Sequence, residues 1–538
     1  LEISNNKAQS ENAEALGGGI YNNSVLNYMP SVLDNNKAIS DNSYAAGGGL
    51  YNDVNGVITD SWTHMQNNYA LGNSGANGAS MGGGVYNAGT ITNLDFRYTS
   101  ADSDRPRLNY AQDTSGSAFG GAVYNSGTIS KIYATSNGNT NHASFFKQNY
   151  AYGYVNAGGG AIYNTGKINE IRAHYDGNYA IATTGNAMGG AIYNSGTIDS
   201  TYYWTSNWED GGYNNYVQAN DGYAMGGLIY NTGTISSIQT GRYRLNRAIG
   251  KYAYGGAIYN TGNLTIYTSL LNNWANGSTD AKGGAIYSSG NIKLIVNSGY
   301  IREISGNYTQ IGSGSKIYSA IYMADATKTL TIQSTGGGIW KIADTIEGVT
   351  GYTTRITGDN GSYVHFNNAS SQIKGSNVIF DTITMSFTKN TFADSNTILR
   401  ANSGNLIFAS SNVSNYIINN LQSTEQVRYA FKINSSSTTI KADRLDVGAG
   451  SSGTVFIDNV SFLDNTTPKS GVYQLISAKN DNIQLKLDSS KTKYTTGFLS
   501  PVVYWYEKYN YAEYTMSLAT TTTTNDSIKI DIITYAHD

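Results

Sequence analysis

The sequence predicts an all-β fold in which short strands wind into a solenoid with three strands per coil. The composition is the first reason: Gly makes up 62 of 538 residues, Pro only 4, and charged residues 13%, against about 25% charged residues in an ordinary globular domain. Gly, Asn, Ser and Thr are also poor helix formers. The second reason is a repeat of 28 to 39 residues in the first 330 residues, because periods of about 20–50 residues indicate units that bury their apolar face by stacking.

The first element of each period reads Gly-Gly, a small or aliphatic residue, a second aliphatic residue, and Tyr-Asn. Because side chains alternate along a strand, we place the second aliphatic residue and Asn inside and Tyr outside. The opposite orientation would expose a row of Ile, which soluble proteins avoid. We therefore expect an outward stack of about nine Tyr rings, one per coil, with a degenerate tenth copy at Tyr322. The nine are Tyr21, Tyr51, Tyr86, Tyr124, Tyr163, Tyr193, Tyr230, Tyr259 and Tyr287.

Two further elements complete the coil. From the third copy on, Gly, then Thr, Lys or Asn, then Ile or Leu follow the Tyr-Asn pair, as in Gly89-Thr90-Ile91. A large residue, two variable residues and Asn precede each Gly pair, and Asn109 breaks this pattern because Pro106 takes the leading position. We expect positive φ at the Gly pairs, left-handed geometry at the Asn, and an Asn hydrogen-bond ladder through the stack. These Asn are Asn6, Asn36, Asn68, Asn149, Asn178, Asn220, Asn246, Asn273 and Asn307.

The repeat also divides the chain. A propeller is the competing repeat fold, but its blades need about 40–45 residues, more than the shortest period of 28 supplies. Residues 1–335 are predicted to form regular coils and residues 336–440 four or five less regular ones. Residues 441–538, with longer alternating runs, are predicted to cap the solenoid, because an open last coil is an aggregating edge.

The charge and the rare residue types limit the function classes. The net charge is −3 and Cys is absent, so we expect no nucleic-acid partner, no disulfide framework and no thiolate zinc site. No apolar run of about 18 residues exists that would form a transmembrane helix. The chain begins at Leu1 without a signal-peptide pattern, and we interpret it as a processed or excised segment.

The motifs resemble those of a known family. The Gly-Gly-Ala-Ile repeats that alternate with large-x-x-Asn are similar to the polymorphic outer-membrane protein branch of the autotransporters, although that branch uses Phe-x-x-Asn, seen here only at Phe146. The stretches 440–447, 453–457 and 473–476 resemble the end of a pertactin-type passenger. This resemblance implies a right-handed parallel β-helix at the bacterial cell surface, linked at synthesis to an outer-membrane β-barrel not present in this chain. It implies adhesion or self-association, with protease or esterase activity in some branches.

The sequence offers little for catalysis. The five His residues, His64, His142, His174, His365 and His537, share no metal-ligand spacing, and no Gly-Asp-Ser-Gly or Gly-x-Ser-x-Gly motif occurs. A pair of carboxylates at one position of adjacent coils, as glycoside hydrolysis would need, is also missing. We expect no enzyme activity, no cofactor and no metal site.

Aromatic residues are the candidate binding groups. The insertion 199–223 carries Tyr202, Tyr203, Trp204, Trp208, Tyr213 and Tyr216 on an expected external loop, and exposed aromatic rings grip sugars and protein partners. The outward stack adds Tyr124, Tyr163, Tyr193, Tyr230 and Tyr259. In the alternative interpretation the loop rings fold back on the solenoid wall and the stack only stabilises neighbouring coils. The nearby Arg242, Arg244 and Arg247 are interpreted as a solvated loop.

Two main hypotheses and a remote third follow. The first is a cell-surface adhesin or interaction rod that binds a host or bacterial glycan or protein. The second is a structural protein that packs with copies of itself into a surface layer or fibre. The third is a polysaccharide-degrading β-helix enzyme.

Overall fold

The computed structural model describes residues 2–96, 106–136, 139–142, 144–202, 210–239, 241–368, 371–434, 437, 439–462, 472–478, 482–487, 493–497, 510–520 and 526–536. The chain forms two compact units. Unit 1 comprises Leu1–Ile295 and Ile304–Lys328, and unit 2 comprises Val296–Glu303 and Thr329–Asp538. Every described element is a strand, and none is a helix long and apolar enough to span a membrane.

Unit 1 is a parallel β-helix, since strands of successive coils pair in parallel and in register. Each coil contributes to three sheets, which we call A, B and C. Sheet C holds the Ile-Tyr-Asn strands: Ile20–Asn22, Leu50–Asn52, Val85–Asn87, Val123–Asn125, Ile162–Asn164, Ile192–Asn194, Ile229–Asn231, Ile258–Asn260, Ile286–Ser288 and Ser319–Met323. The predicted all-β solenoid is confirmed.

Sheet A follows sheet C in each coil and has the longest strands. Its strands are Glu2–Ser4, Val25–Asp34, Val57–Gln66, Thr90–Phe96, Thr128–Ser136, Ser144–Lys147, Lys167–Asp176, Thr197–Tyr202, Asp210–Tyr213, Thr234–Gln239, Arg242–Arg244, Leu264–Ile266, Ser269–Leu271, Ile292–Val296 and Ile301–Ser305. The short strand Asn139–His142 pairs antiparallel with Thr128–Ser136. The last two strands of sheet A lie partly in each unit.

Sheet B closes the coil, and in most coils it has two short strands with a bend between them. Its strands are Lys7–Ser10, Ala15–Leu16, Lys37–Ser40, Ala45–Ala46, Tyr69–Gly72, Ala79–Met81, Tyr110–Asp113, Ser117–Phe119, Tyr150–Gly153, Ala157–Gly158, Tyr179–Ala182, Ala187–Met188, Tyr216–Met225, Arg247–Tyr254, Trp274–Lys282 and Tyr308–Ile311. Many of its inward side chains are Ala, as at Ala151, Ala157 and Ala180. The bend is therefore narrow, whereas Ile and Leu fill the wider interior between sheets A and C.

The corner between sheets A and B corrects two sequence predictions. The ladder Asn there are Asn6, Asn36, Asn68, Asn109, Asn149, Asn178, Asn215, Asn246, Asn273 and Asn307, each donating from Nδ2 to the Oδ1 of the next at 2.9–3.1 Å. Asn220 was wrongly assigned to this row: it is exposed, and Asn215 takes the place. Asn109 does not break the row, because Pro106 is buried at the leading position and its carbonyl accepts from Asn149 Nδ2 at 2.9 Å.

The left-handed residue at this corner also differs from the prediction. Positive φ belongs to the residue before the ladder Asn, as at Asn35 (58°), Leu108 (54°) and Leu245 (56°). The ladder Asn keeps ordinary backbone angles and uses its amide to hydrogen-bond between coils. Because a branched or bulky residue in this region is strained by about 1–2 kcal/mol, Leu108 and Leu245 are held there by the coils around them.

The Gly-Gly corner between sheets B and C makes two different demands. The first Gly of the pair has positive φ, as at Gly159 (58°) and Gly189 (64°), which confirms the prediction. The second Gly has no room for a side chain: a Cβ on Gly160 would fall on the carbonyl oxygens of Gly190 and Tyr179. Adjacent coils therefore approach each other here backbone to backbone.

Unit 2 is also built from stacked parallel strands, with coils of 21 to 24 residues along the row Leu330, Thr354, Val378, Leu399 and Leu421. Stacked aromatic residues such as Phe366, Phe387 and Phe408 fill its core. Its strands are Thr329–Ser334, Ile339–Ile342, Thr345–Gly348, Tyr352–Gly358, Tyr363–Phe366, Ser376–Asp381, Ile383–Phe387, Ile398–Ala401, Gly404–Phe408, Asn415–Ile418, Leu421–Ser423, Val427–Ile433, Arg444–Val447, Ser452–Phe462, Val472–Ala478, Ile483–Leu487, Lys493–Gly497, Asn510–Thr520 and Asp526–Ala536.

The last strands of unit 2 depart from parallel stacking. Asp526–Ala536 pairs antiparallel with Val472–Ala478 and with Asn510–Thr520, which in turn pairs antiparallel with Lys493–Gly497. The division into 1–335, 336–440 and 441–538 stays a prediction.

The carboxyl group of Asp443 is fully buried in unit 2. Asp443 accepts hydrogen bonds from the backbone N–H of Ser414 at 3.0 Å and of Lys432 at 2.8 Å, and the Lys432 ammonium lies 3.9 Å away. Burial raises the pKa of Asp443 to about 6, against the lowering effect of Lys432 and the two backbone donors.

Candidate binding surface

The Tyr of sheet C form one continuous ladder on the outer face of unit 1. We call the ten residues Tyr21, Tyr51, Tyr86, Tyr124, Tyr163, Tyr193, Tyr230, Tyr259, Tyr287 and Tyr322 the C ladder. Successive ring centroids lie 4.0–5.7 Å apart and the ring planes deviate by 2–15°. The neighbouring Ile and Asn are buried, as at Ile162 and Asn164. The predicted facing and stacking are confirmed; the binding role of Tyr124, Tyr163, Tyr193, Tyr230 and Tyr259 stays a prediction.

The rings of the C ladder present their edges rather than their faces to solvent. Each inner ring has a neighbour above and below, which covers both faces. Side chains of sheet B also pack against the ladder: the Phe119 ring lies 4.5 Å from that of Tyr163, and Gly158 leaves the space for this contact. Tyr163 is only 9% exposed, whereas Tyr21 at the start of the ladder is 50% exposed.

Burial favours the neutral form of several ladder phenols. It raises the pKa of Tyr124, Tyr163, Tyr230 and Tyr259 above the ordinary value of 10. These four phenols are therefore uncharged at physiological pH, and each can both donate and accept a hydrogen bond.

A row of small hydroxyl side chains runs beside the C ladder. These residues stand two positions after the ladder Tyr, at the turn into sheet A, and they are exposed: Ser126, Thr165, Ser195 and Thr232. The Thr165 hydroxyl donates to the backbone carbonyl of Asn125 in the preceding coil at 3.4 Å. We call this row together with Tyr86, Tyr124, Tyr163, Tyr193, Tyr230 and Tyr259 the hydroxyl strip.

Sheet B carries a second aromatic ladder that the sequence analysis missed. Tyr69, Tyr110, Tyr150, Tyr179 and Tyr216, the B ladder, stack with centroids 4.6–5.0 Å apart. A cation covers each end of the stack: Lys37 Nζ lies 5.2 Å from the Tyr69 ring centroid, and the Arg247 guanidinium 4.4 Å from that of Tyr216.

A sequence signal for the B ladder exists. Each of its Tyr directly follows a ladder Asn, so the dipeptide Asn-Tyr recurs at this corner. Burial raises the pKa of Tyr110 and Tyr179 to about 12, so these phenols also stay neutral.

The predicted aromatic group in the insertion 199–223 is not a single loop cluster. Tyr216 belongs to the B ladder, and Tyr213 ends the sheet A strand Asp210–Tyr213, with the Arg244 guanidinium 4.6 Å from its ring centroid. The expected external loop is therefore wrong for these two residues. Only the backbone of Tyr202 is described, and Tyr203, Trp204 and Trp208 lie outside the described residues.

The predicted Arg loop is also part of the regular coil. Arg242 and Arg244 flank Asp210 at 3.2 and 2.5 Å. Arg247 Nη1 donates to Asn214 Oδ1 at 2.5 Å while its guanidinium covers Tyr216. These three Arg residues thus engage strand partners, and the interpretation as a solvated loop is wrong.

The described His residues do not converge on one place. His64 Nδ1 lies 3.3 Å from Asp34 Oδ2, the His174 ring contacts Phe145, and His365 shares a 2.5 Å hydrogen bond with Ser386. Within the described part of the chain, no three His, Asp or Glu are grouped to hold a metal ion.

Known proteins offer a distant likeness. No protein family and no curated protein matches the sequence. Among solved structures, the crystal structure of the Haemophilus influenzae Hap adhesin is similar in fold, with 10% sequence identity and a TM-score of 0.24. The match covers 94% of this chain and 63% of the Hap chain. The proposals below therefore depend on this chain's own residues.

Proposed function

We propose that this chain is the cell-surface passenger of an autotransporter-type protein and acts there as a non-enzymatic adhesin. The hydroxyl strip carries the proposal. It spans six coils, or about 24 Å at ~4.8 Å per coil, with a Tyr in each coil and an exposed Ser or Thr hydroxyl beside the Tyr in four successive coils. An array of identical weak contacts suits adhesion, because binding strength adds up along a repetitive partner.

Surface-blocking variants test the proposal. Ser195→Arg combined with Thr232→Arg places two long cations on the strip at exposed positions and leaves the Tyr stack intact. The matched control, Thr59→Arg with Ser236→Arg, makes the same change at exposed positions on sheet A. Beads coated with the wild-type chain should adhere to epithelial or bacterial cells, the strip variant should lose most of this adhesion, and the control should keep it. Equal adhesion of the two variants would refute the role of the strip.

The outer face of sheet B supports a second candidate, side-by-side packing of copies into a layer or fibre. Beside the B ladder runs a mixed row in which Ile39, Leu71, Ile181 and Ile249 are interspersed with Gln112 and Gln218, and a partner copy would cover these aliphatic side chains. Negative-stain microscopy of the purified chain tests it: ordered sheets or filaments support self-assembly, and separate particles contradict it.

A further inference from the structure

The chemistry of the hydroxyl strip indicates which class of ligand it binds, and this inference rests on the proposed function. Aromatic residues usually grip a sugar by stacking on its face. In the C ladder the inner ring faces are already covered by neighbouring rings 4.0–5.2 Å away. A ligand can therefore meet only ring edges, phenol groups and the Ser and Thr hydroxyls.

The surroundings of the strip carry almost no charge. The sheet B row on one side is Met81, Phe119, Gly158, Met188 and Met225. The sheet A row on the other side is Thr90, Thr128, Lys167, Thr197 and Thr234. Lys167 is the one charged residue in these two stretches, and its ammonium lies 3.9 Å from Asp199. Beyond Met225 the sheet B row continues with Tyr254 and Lys282, and the Lys282 ammonium lies 3.0 Å from Asp280. Because nothing here attracts a polyanion or a polycation, the ligand that fits is neutral.

The spacing of the strip sets the repeat of the ligand. Parallel strands place one phenol at each coil, ~4.8 Å from the next, and in four successive coils a Ser or Thr hydroxyl stands beside it. A β-1,4-linked pyranose chain in its extended form advances by about one such spacing per sugar, with alternate sugars turned over, and both edges of each sugar offer groups that can hydrogen-bond. A peptide strand has a shorter repeat of about 3.3 Å per residue and loses register after a few coils.

We propose that the hydroxyl strip binds a neutral, extended β-1,4-linked polysaccharide that lies along the stacking direction with one sugar per coil. The Ser and Thr hydroxyls meet the sugar hydroxyls on one side of the chain, and the Tyr edges and phenols meet it on the other.

Binding of oligosaccharides to the full chain tests the proposal. The probes are cello-oligosaccharides and chitin oligosaccharides of two to six sugars, with the α-linked maltohexaose and charged carboxymethyl cellulose as comparisons. Affinity should rise at least tenfold from the disaccharide to the hexasaccharide, and maltohexaose should bind at least tenfold more weakly. Equal affinity for maltohexaose, preference for the charged polymer, or no binding of any β-1,4-linked probe would overturn the proposal.

Tyr→Phe substitutions locate the site without removing the stack. The triple variant Tyr124→Phe, Tyr163→Phe and Tyr193→Phe should lose at least tenfold in hexasaccharide affinity. The matched triple variant in the B ladder, at Tyr110, Tyr150 and Tyr179, should bind like wild type. If the C-ladder variant fails to fold, the exposed changes Ser126→Ala, Thr165→Val and Ser195→Ala replace it, with the same expected loss. Equal affinities of the C-ladder and B-ladder variants would place the ligand elsewhere.

These experiments distinguish a failure of the ligand proposal from a failure of the proposed adhesin function. If the Arg variants of the strip abolish cell adhesion but no β-1,4-linked probe binds, the proposed function stands and the ligand class is wrong. If the chain pellets as ordered sheets and the C-ladder Tyr→Phe variant prevents this, the occupant of the strip is a second copy and the polysaccharide proposal fails.

Discussion

Removing one side-chain amide from the Asn ladder should lower the free energy of unfolding of unit 1 by several kcal/mol, because that amide makes four hydrogen bonds. Asn178 accepts from the backbone N–H and from Nδ2 of Asn149, both at 3.0 Å. It donates to Phe146 O at 2.7 Å and to Asn215 Oδ1 at 2.9 Å. Asn178→Ala leaves the buried N–H of Asn149 unpaired, which costs about 2 kcal/mol, and removes three further bonds worth about 1 kcal/mol each. We expect a loss of about 5 kcal/mol.

Urea unfolding followed by far-UV circular dichroism measures this loss, and Asn220→Ala is the matched control. Asn220 lies five residues after the ladder residue Asn215, but its side chain is exposed. For Asn220→Ala we therefore expect the free energy of unfolding to change by less than about 0.5 kcal/mol. Asn178→Asp adds a second arm: its carboxylate cannot donate to Asn215, and acidification should restore part of the stability by protonating it. Similar losses for the Ala variants of Asn178 and Asn220 would refute the ladder argument.

Three further predictions concern backbone geometry and the buried carboxyl. Leu108→Asn should stabilise unit 1 by about 1 kcal/mol in urea unfolding, because Leu108 has a φ of 54° that Asn tolerates better; an unchanged or lower midpoint would contradict it. Gly160→Ala should cost at least about 3 kcal/mol, since its Cβ falls on the Gly190 carbonyl, and normal yield with an unchanged melting temperature would contradict it. Because the pKa of Asp443 is raised from 3.8 to about 6, folding holds its proton more tightly. The stabilisation, about 3 kcal/mol, is present below pH 4 and is lost as the pH rises through 6. Asp443→Asn should flatten this part of the stability–pH curve, and an unchanged slope would contradict it.

The sequence was sufficient for the fold class and for the facing of sheet C, because of the two possible orientations only one buries the aliphatic residue that precedes each Tyr. It misled at the Asn corner, where the pattern required a large leading residue. Gly212 stands at that position before Asn215, and the rings of Tyr175 and Tyr243 flank it in the stacked row. The missing side chain is thus compensated by neighbouring coils, which a pattern read along one coil cannot reveal.

The same limit applies to the binding surface. The C ladder was predictable because its Tyr lies inside the repeat motif, whereas the Tyr of the B ladder lies just outside the large-x-x-Asn motif, directly after its Asn. Whether a Tyr ring face is covered depends on the distance between rings of adjacent coils. Covered faces leave only edge contacts for a sugar, and the distances that decide this are known only from the three-dimensional structure.

The Asn ladder makes it easier to change the number of coils in unit 1 than to change a residue at the corner between sheets A and B. Every ladder amide needs a partner in the coil above and one in the coil below, but any coil can supply them. Deleting or duplicating one complete period, such as the 30 residues 163–192, brings equivalent amides together again with no bond lost. Recombination between repeats could therefore lengthen or shorten unit 1 by whole coils. A substitution at one corner Asn, by contrast, interrupts the ladder.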